Sequence, residues 1–242
     1  MTEPSLLAET ADHYVINKPA GYSVEPHDRY PSITDWLDEH YGIKHIMSAE
    51  TRYGIVHRLD VETSGVLIWA KTAPAQEDLQ KLWQGRQVKK TYLALVAGET
   101  PPEGTIEVNL ERDNRGDKQR VALLPSVKSR PAITVYRRVA VGSSTSLGVK
   151  DSPGQKISLV ECQPVTGRTH QIRVHLQFLG HPIIGDKVYG TKLTERLAKE
   201  LQLERHWLHA QKIDLDGQEY QAPLPADLAQ SLQLTGIDQS SL

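Results

Sequence analysis

The 242-residue chain is 38% hydrophobic and 24% charged, with a formal net charge of −2, a balance that supports a sizeable core and excludes a disordered chain. No apolar run approaches the ~20 residues of a membrane span, and the acidic start MTEPSLLAETADHY lacks the basic and apolar regions of a secretory signal, so no membrane partner is expected. The one cysteine, Cys162, cannot form an internal disulfide, which fits a reducing cytoplasm.

In chain order, the first ten residues read as a frayed tail. Residues 13–18 form a short strand, ended by Pro19-Ala20-Gly21, where Pro at the second and Gly at the fourth position suit a type I turn. Ser32-x-x-Asp35 resembles a capping box, Ile33, Trp36, Leu37 and Tyr41 share a helical face, and Gly42 supplies the stop. The stretch 53–72, YGIVHRLDVETSGVLIWAKT, sets Asp60 between a cationic pair (His57, Arg58) and a hydroxyl-rich turn (Thr63, Ser64, Gly65). It then runs into the continuously apolar residues 66–70, a strand buried on both faces. Thr72 caps a helix carrying Ala75, Leu79, Leu82 and Trp83 inward and ending at Gly85, and residues 89–98, KKTYLALVAG, form a second buried strand. Strand, helix and strand around the Asp60 turn imply a mixed sheet with helices packed on it.

Further on, residues 104–110 alternate as a half-buried strand, and residues 111–120, ERDNRGDKQR, read as a polar loop. Residues 132–141 and 157–163 are two more strands, separated by an exposed excursion, SSTSLGVKDSPGQK. Thr166-Gly167-Arg168 is a turn; Thr169 caps a helix with Ile172, Leu176 and Leu179 on one face, stopped by Gly180. Residues 194–203 form another amphipathic helix, 206–210 and 213–215 closing strands, and the end a polar tail.

Charge is unevenly spread. Residues 1–50 hold nine Asp/Glu against three Lys/Arg, whereas residues 111–138 hold eight Lys/Arg against three Asp/Glu. Such a cationic segment suits phosphates, with binding that weakens in salt; its ordinary alternative is a solvated loop.

Three constellations compete for the chemistry. His170 and His175 lie about 140° apart around a helix and on opposite faces of a strand, so they do not share a metal ion, and one Cys with no HExxH motif supplies no other site. Asp60-Val61-Glu62-Thr63-Ser64 loosely matches the DxDx[ST] loop of phosphoryl transfer, but a longer Glu at the third position would displace the Mg²⁺. The third reading joins Asp60 to Tyr92 and Arg173. Taken singly these are a turn Asp paired with Arg58, a core aromatic and a helix-face Arg. Yet Thr169 and Arg173 are i and i+4, giving that helix a polar stripe, and an Arg that reaches a buried Asp fixes its direction, as a nucleophile or base requires.

At these residues a family resemblance emerges. HRLDVETSG at 57–65 is similar to the HRLDxxTSG motif of the RluA family of pseudouridine synthases; NKPAG at 17–21, KTY at 90–92, GRTHQIRVHLQFLGHPIIGD at 167–186 and LHA at 208–210 resemble its other blocks, in register. The resemblance implies an α+β fold with a mixed, largely antiparallel central sheet, flanking helices and loops, and a cleft across the sheet. It implies one catalytic domain over residues 12–226, tails at 1–11 and 227–242, and, with only the 1–11 tail ahead of that domain, no S4-like RNA-binding domain. The implied activity is isomerisation of uridine to pseudouridine in a tRNA or rRNA stem-loop by a monomer, with no cofactor and no metal. Asp60 is then the catalytic carboxylate, Tyr92 stacks on the uracil, Arg173 pairs with Asp60 and Ile172 packs on the base. Arg58 moves into the space the flipped base leaves, and His57, Thr63, Lys90 and Arg168 bind the RNA around it. The alternatives that remain are a non-catalytic RNA-binding homologue and a Mg²⁺-dependent phosphate-ester hydrolase.

Overall fold

The computed structural model describes residues 2–113, 118–124, 126–144 and 154–239. In chain order its elements are β1 (Ser5–Glu9), β2 (His13–Lys18), α1 (Ile33–Tyr41), α2 (Ile43–Ile46), a 3-10 turn (Arg52–Gly54), β3 (Ser64–Ala70), α3 (Ala73–Gln84), β4 (Lys89–Ala97), β5 (Glu103–Arg112), β6 (Gln119–Ala122), β7 (Arg130–Ser144), β8 (Gln155–Pro164), α4 (Gln171–Phe178), α5 (Lys192–Glu200), β9 (Leu208–Leu215), β10 (Gln218–Gln221) and α6 (Ala226–Leu234). They divide into two compact units, Met1–Lys90 with His209–Leu224, and Thr91–Leu208 with Pro225–Leu242. Among the described residues no helix is long and apolar enough to cross a membrane.

In the first unit the strands run β1-β2-β3-β9-β10, antiparallel except where β3 meets β9 in parallel through Ser64↔His209 and Gly65↔Ala210. β3 is buried along its whole length, as its unbroken apolar run demands. Val66, Ile68 and Ala70 pack with Val15, Ala75, Leu79 and Ile213 into one core. Each fully buried Val, Ile or Leu contributes about 1.5–3 kcal/mol, so this cluster sets the platform from which the Asp60 loop leaves. Gly65 is required at the start of β3: a Cβ there would lie 2.1 Å from the Ala210 carbonyl oxygen, and φ is +126°. Thr72 caps α3 by accepting from the Ala75 N–H, and Ser32 caps α1 from Asp35 with Gly42 left-handed at its end, as the motifs indicate.

In the second unit β4-β8-β7-β5-β6 form an antiparallel sheet. The chain after α4 returns to β4, where Ala97 N–H bonds Pro182 O, Ile184 N–H bonds Leu95 O and Leu95 N–H bonds Trp207 O. That return places Asp186. Strand pairing is mixed, mostly antiparallel with one parallel ladder between β3 and β9, and helices accompany the strands, the α+β class the motifs imply.

Several expectations are corrected. Residues 5–9 are not frayed: SLLAE pairs with β2, and Leu7 and Ala8 cover the rim of the core. An edge strand needs only one partner and half-burial, which leaves a faint pattern. Nor is the C-terminal segment a polar tail, because Leu228 and Leu232 lie i and i+4 and are fully buried on α6, where Trp207 Nε1 donates to Leu228 O (3.1 Å) and Ser231 Oγ (2.7 Å). The polar loop at 111–120 is the flank of a hairpin, with Arg112 opposite Gln119; residues 114–117 of it lie outside the described residues, as do 145–153 of the excursion between β7 and β8. The two closing strands are one strand, β9, and Asp216-Gly217, both at positive φ, turn it into β10. α5 begins two residues earlier than expected, capped by Thr191 with Thr194.

Candidate active site: the Asp60 loop and the Arg173 helix

The expected site residues fall into two groups, one in each unit. His57, Arg58, Asp60 and Thr63 occupy the loop between the 3-10 turn and β3, and Lys90 lies at the start of β4. Tyr92, Arg168, Ile172 and Arg173 belong to the second unit.

The Asp60 loop is tied down by backbone contacts. Lys18 is completely buried and its Nζ donates to Val61 O (3.0 Å) and Pro19 O (2.9 Å), while Gly21 N–H also donates to Val61 O (2.9 Å). Thr63 N–H closes the turn on Asp60 O (3.0 Å). An ammonium costs several kcal/mol to bury, so Lys18 persists there only because carbonyls and other partners satisfy it. The result is a half-buried Asp60 on a loop held by hydrogen bonds at Val61 O and at its own carbonyl. Lys18 and its carbonyl partners are a part of the site that sequence reasoning quoted within a motif without assigning it a role.

Side chains in this loop alternate between anchoring and exposure. His57 Nε2 accepts from Ile68 N–H (2.9 Å), and its ring stacks on Trp83 at 4.8 Å between centroids, 23° between planes. Accepting at Nε2 puts the proton of the neutral ring on Nδ1. Burial, with the nearby Lys90 charge, pushes the His57 pKa down to about 3. Leu59 is buried, Thr63 is 2% exposed, and Arg58 between His57 and Leu59 is exposed and bonded to Glu25 (2.9 Å). Burial pulls the Lys90 pKa down as well.

In the second unit Tyr92 sits half-exposed on β4, opposite Cys162 of β8, while Leu93 to Ala97 beyond it are buried. The α4 helix is buried from Gln171 to Leu176, including Ile172 (6% exposed) and Arg173 (5%). Arg173 is therefore not a solvated face residue. Its Nε donates to Asp186 Oδ2 (2.7 Å) and its Nη2 to Asp186 Oδ1 (2.9 Å), a bidentate pair, and its guanidinium lies 5.1 Å from the Tyr189 ring centroid. Asp186 Oδ1 also accepts from Val188 N–H (2.9 Å) and Tyr189 N–H (3.0 Å). Burial raises the Asp186 pKa, but the Arg173 hydrogen bonds and charge, with the Tyr189 N–H and His206, outweigh it and hold the carboxyl below its ordinary value. Gly185 makes this placement possible: at φ +80° its Cα passes so close to the Arg205 carbonyl that a Cβ would sit 2.2 Å from it.

Thr169 does not cap α4. The helix begins after His170, which is left-handed (φ 54°), and no side chain caps it. Gln171 instead ties its start, donating through Nε2 to Ile133 O (2.9 Å) and Thr134 Oγ1 (3.0 Å) and accepting from Thr166 Oγ1 (2.7 Å) and Arg168 N–H (3.0 Å). Arg168 itself is exposed. Asp186 and Gln171 escaped sequence reasoning because their partners, Arg173 and β7, are brought to them by folding, although both lie inside the block at 167–186. Among the described residues no group of three or more His, Cys, Asp or Glu is arranged to hold a metal ion.

A family model described as RNA pseudouridylate synthase matches residues 12–178. A protein of Chloroflexus aurantiacus called an uncharacterized RNA pseudouridine synthase is 43% identical over 220 residues, 88% of this chain and 63% of its own length. The ribosomal large subunit pseudouridine synthase D of Nitrosomonas europaea is 37% identical over 238 residues, 94% of this chain and 64% of its own. This chain thus spans a little under two-thirds of the length of these two relatives. Of solved structures, human RNA pseudouridylate synthase domain containing 4 superposes with a TM-score of 0.75 at 28% identity, covering 97% of this chain and 94% of that one. With its NKPAG, HRLD and GRTHQIRVH blocks all inside the matched residues 12–178, the chain belongs to the RluA-type RNA pseudouridylate synthase family.

Proposed function

We propose that this protein isomerises uridine to pseudouridine in RNA, with Asp60 as the essential carboxylate. The observation that carries the reading is the Asp60 loop, clamped at Val61 and Pro19 by a buried lysine inside the segment the family model matches. The reaction exchanges the N1–C1′ bond for a C5–C1′ bond; C5 loses a proton and N1 gains one. The exchange balances without any redox change.

In this reading Tyr92 lies against the uracil, with Ile172 on the base, and assists loss of the C5 proton. Arg173 pairs with Asp60 while its bidentate grip on Asp186 fixes the guanidinium plane. The target nucleotide leaves the stack at a cost of a few kcal/mol, lowest in loops, and Arg58 takes its place. Lys90, Arg168 and the cationic segment of residues 111–138 contact phosphates; His57 and Thr63 act from inside the loop, through its shape. The relatives' names point to large-subunit ribosomal RNA as the substrate, with a tRNA stem-loop as the other choice. The catalytic body is residues 12–226, working as a monomer in the cytoplasm.

The test compares wild-type protein with Asp60→Asn on unmodified transcripts of large-subunit ribosomal RNA and of tRNAs, mapping pseudouridine chemically. Wild type should form product at discrete positions, and Asp60→Asn should form none while binding the same RNA. A wild type that binds RNA without forming pseudouridine would make the protein a non-catalytic RNA-binding homologue.

A further inference from the structure

Arg58 meets an acidic partner that no motif announces. Glu25 Oε2 accepts from Arg58 Nη1 at 2.9 Å, and Glu25 Oε1 accepts from Arg52 Nη2, so one carboxylate bridges two guanidiniums from different segments of the first unit.

The bridge stands on fixed supports. Glu25 follows Ser23 and Val24, both buried; Ser23 N–H bonds Pro31 O (2.9 Å), Ser23 Oγ donates to Glu25 O (2.6 Å), and the fully buried Thr34 donates through Oγ1 to Val24 O (2.9 Å). Arg52 and Tyr53 are both left-handed (φ 50° and 54°), a conformation that residues with side chains avoid. Trp69 Nε1 holds that turn by donating to Tyr53 O (2.6 Å), and Gln76 Nε2 by donating to Thr51 O (2.7 Å). Backbone strain maintained by buried donors, beside the residue expected to move, is an arrangement with a use. The three charged groups themselves are open to water: the side chains of Glu25, Arg58 and Arg52 are 37%, 52% and 54% exposed. An ion pair so exposed holds weakly and is screened by salt, which suits a side chain that has to leave.

We infer that Glu25 is the resting partner of Arg58, holding it back until RNA competes for the guanidinium, with Arg52 as the counterion that stays on Glu25 when Arg58 turns away. Glu25 acts through Arg58 and is a positioning residue. The inference rests on the reading of Arg58 as the group that fills the space of the flipped base.

The experiment uses the full chain and a transcript on which wild type forms pseudouridine. Glu25→Gln keeps the size of the side chain and removes its charge. It should lower KM about two- to fivefold at low salt, with kcat changing less than KM, and the gap should close as salt rises. Binding of the same transcript to Glu25→Gln in an Asp60→Asn background should tighten by a similar factor. Arg52→Ala should raise KM in the wild-type background, where it leaves Glu25 with Arg58 alone, and have a smaller effect beside Glu25→Gln. A KM unchanged or raised by Glu25→Gln, or an Arg52→Ala effect equal in both backgrounds, would overturn the inference. No pseudouridine from wild type on any transcript would instead defeat the functional reading beneath it.

Discussion

Two arginine–carboxylate contacts in this protein sit at opposite ends of the burial scale. The side chains of Arg173 and Asp186 are 6% and 0% exposed and joined by two hydrogen bonds; those of Arg58 and Glu25 are 52% and 37% exposed and joined by one. A buried pair holds its geometry because separating it strands a charge in a low-dielectric interior, whereas an exposed pair exchanges its partner for water at little cost. The same two chemical groups, guanidinium and carboxylate, thus serve as a fixed strut in one unit and a releasable hold in the other.

The largest expected effect breaks the strut. Asp186→Ala leaves Arg173 without the carboxylate that holds its Nε and Nη2, and should cost about 3–5 kcal/mol by denaturant titration. Acid should probe the same pair in the wild type. The Asp186 pKa is lower folded than unfolded, so its contribution is complete above the unfolded value of about 4 and is lost as pH falls through the folded value. Next comes Lys18→Met, which removes a donor from Val61 O and Pro19 O and should cost about 1–3 kcal/mol. It should also depress turnover further than that loss of stability explains, since the loop bearing Asp60 is loosened.

A smaller effect is set by pH. His57 has a pKa of about 3 folded against about 6.5 unfolded, so the unfolded chain binds the extra proton between those values. Stability from this ring is full above pH 6.5 and drains as pH falls towards 3; His175, pushed down to about 4 by burial, adds to the same slope. His57→Gln, which can still accept from Ile68 N–H, should flatten the fall in urea midpoint between pH 7 and pH 5. Smallest of all, Arg58→Ala should shift stability by no more than about 0.5 kcal/mol while impairing turnover on folded RNA. If Arg58→Ala destabilised the fold as much as Asp186→Ala, the contrast between strut and hold would be lost.

Much of the fold was legible because its signals are local. The bounds of β2 follow from the His13 to Lys18 run, those of α1 and α3 from Ser32, Gly42, Thr72 and Gly85, and the burial of β3 from its apolar stretch. What escaped was half-buried or placed by distant partners: β1 on the edge, α6 with two core leucines in a polar run, and the start of α4, held by Gln171 rather than capped by Thr169. The Asp216-Gly217 turn, which leads directly into β10, also went unread, although Asp-Gly is a local hairpin signal. In the candidate site the motifs picked out Asp60, Tyr92 and Arg173, but Glu25 and Asp186 went without a role. A carboxylate shows no sequence sign of which arginine it will meet 33 or 13 positions away.

By itself the sequence determined a mixed sheet with packed helices, since hydrophobic period and caps act over a few residues at a time, and through the motif blocks that resemble the family's it determined the family and its α+β class. Only the tertiary structure decided which charges are buried and paired. Lys18 and Arg173 look like any surface cation in one dimension, and the surroundings that make one a clamp on the Asp60 loop and the other a partner of Asp186 exist only once distant segments have packed around them.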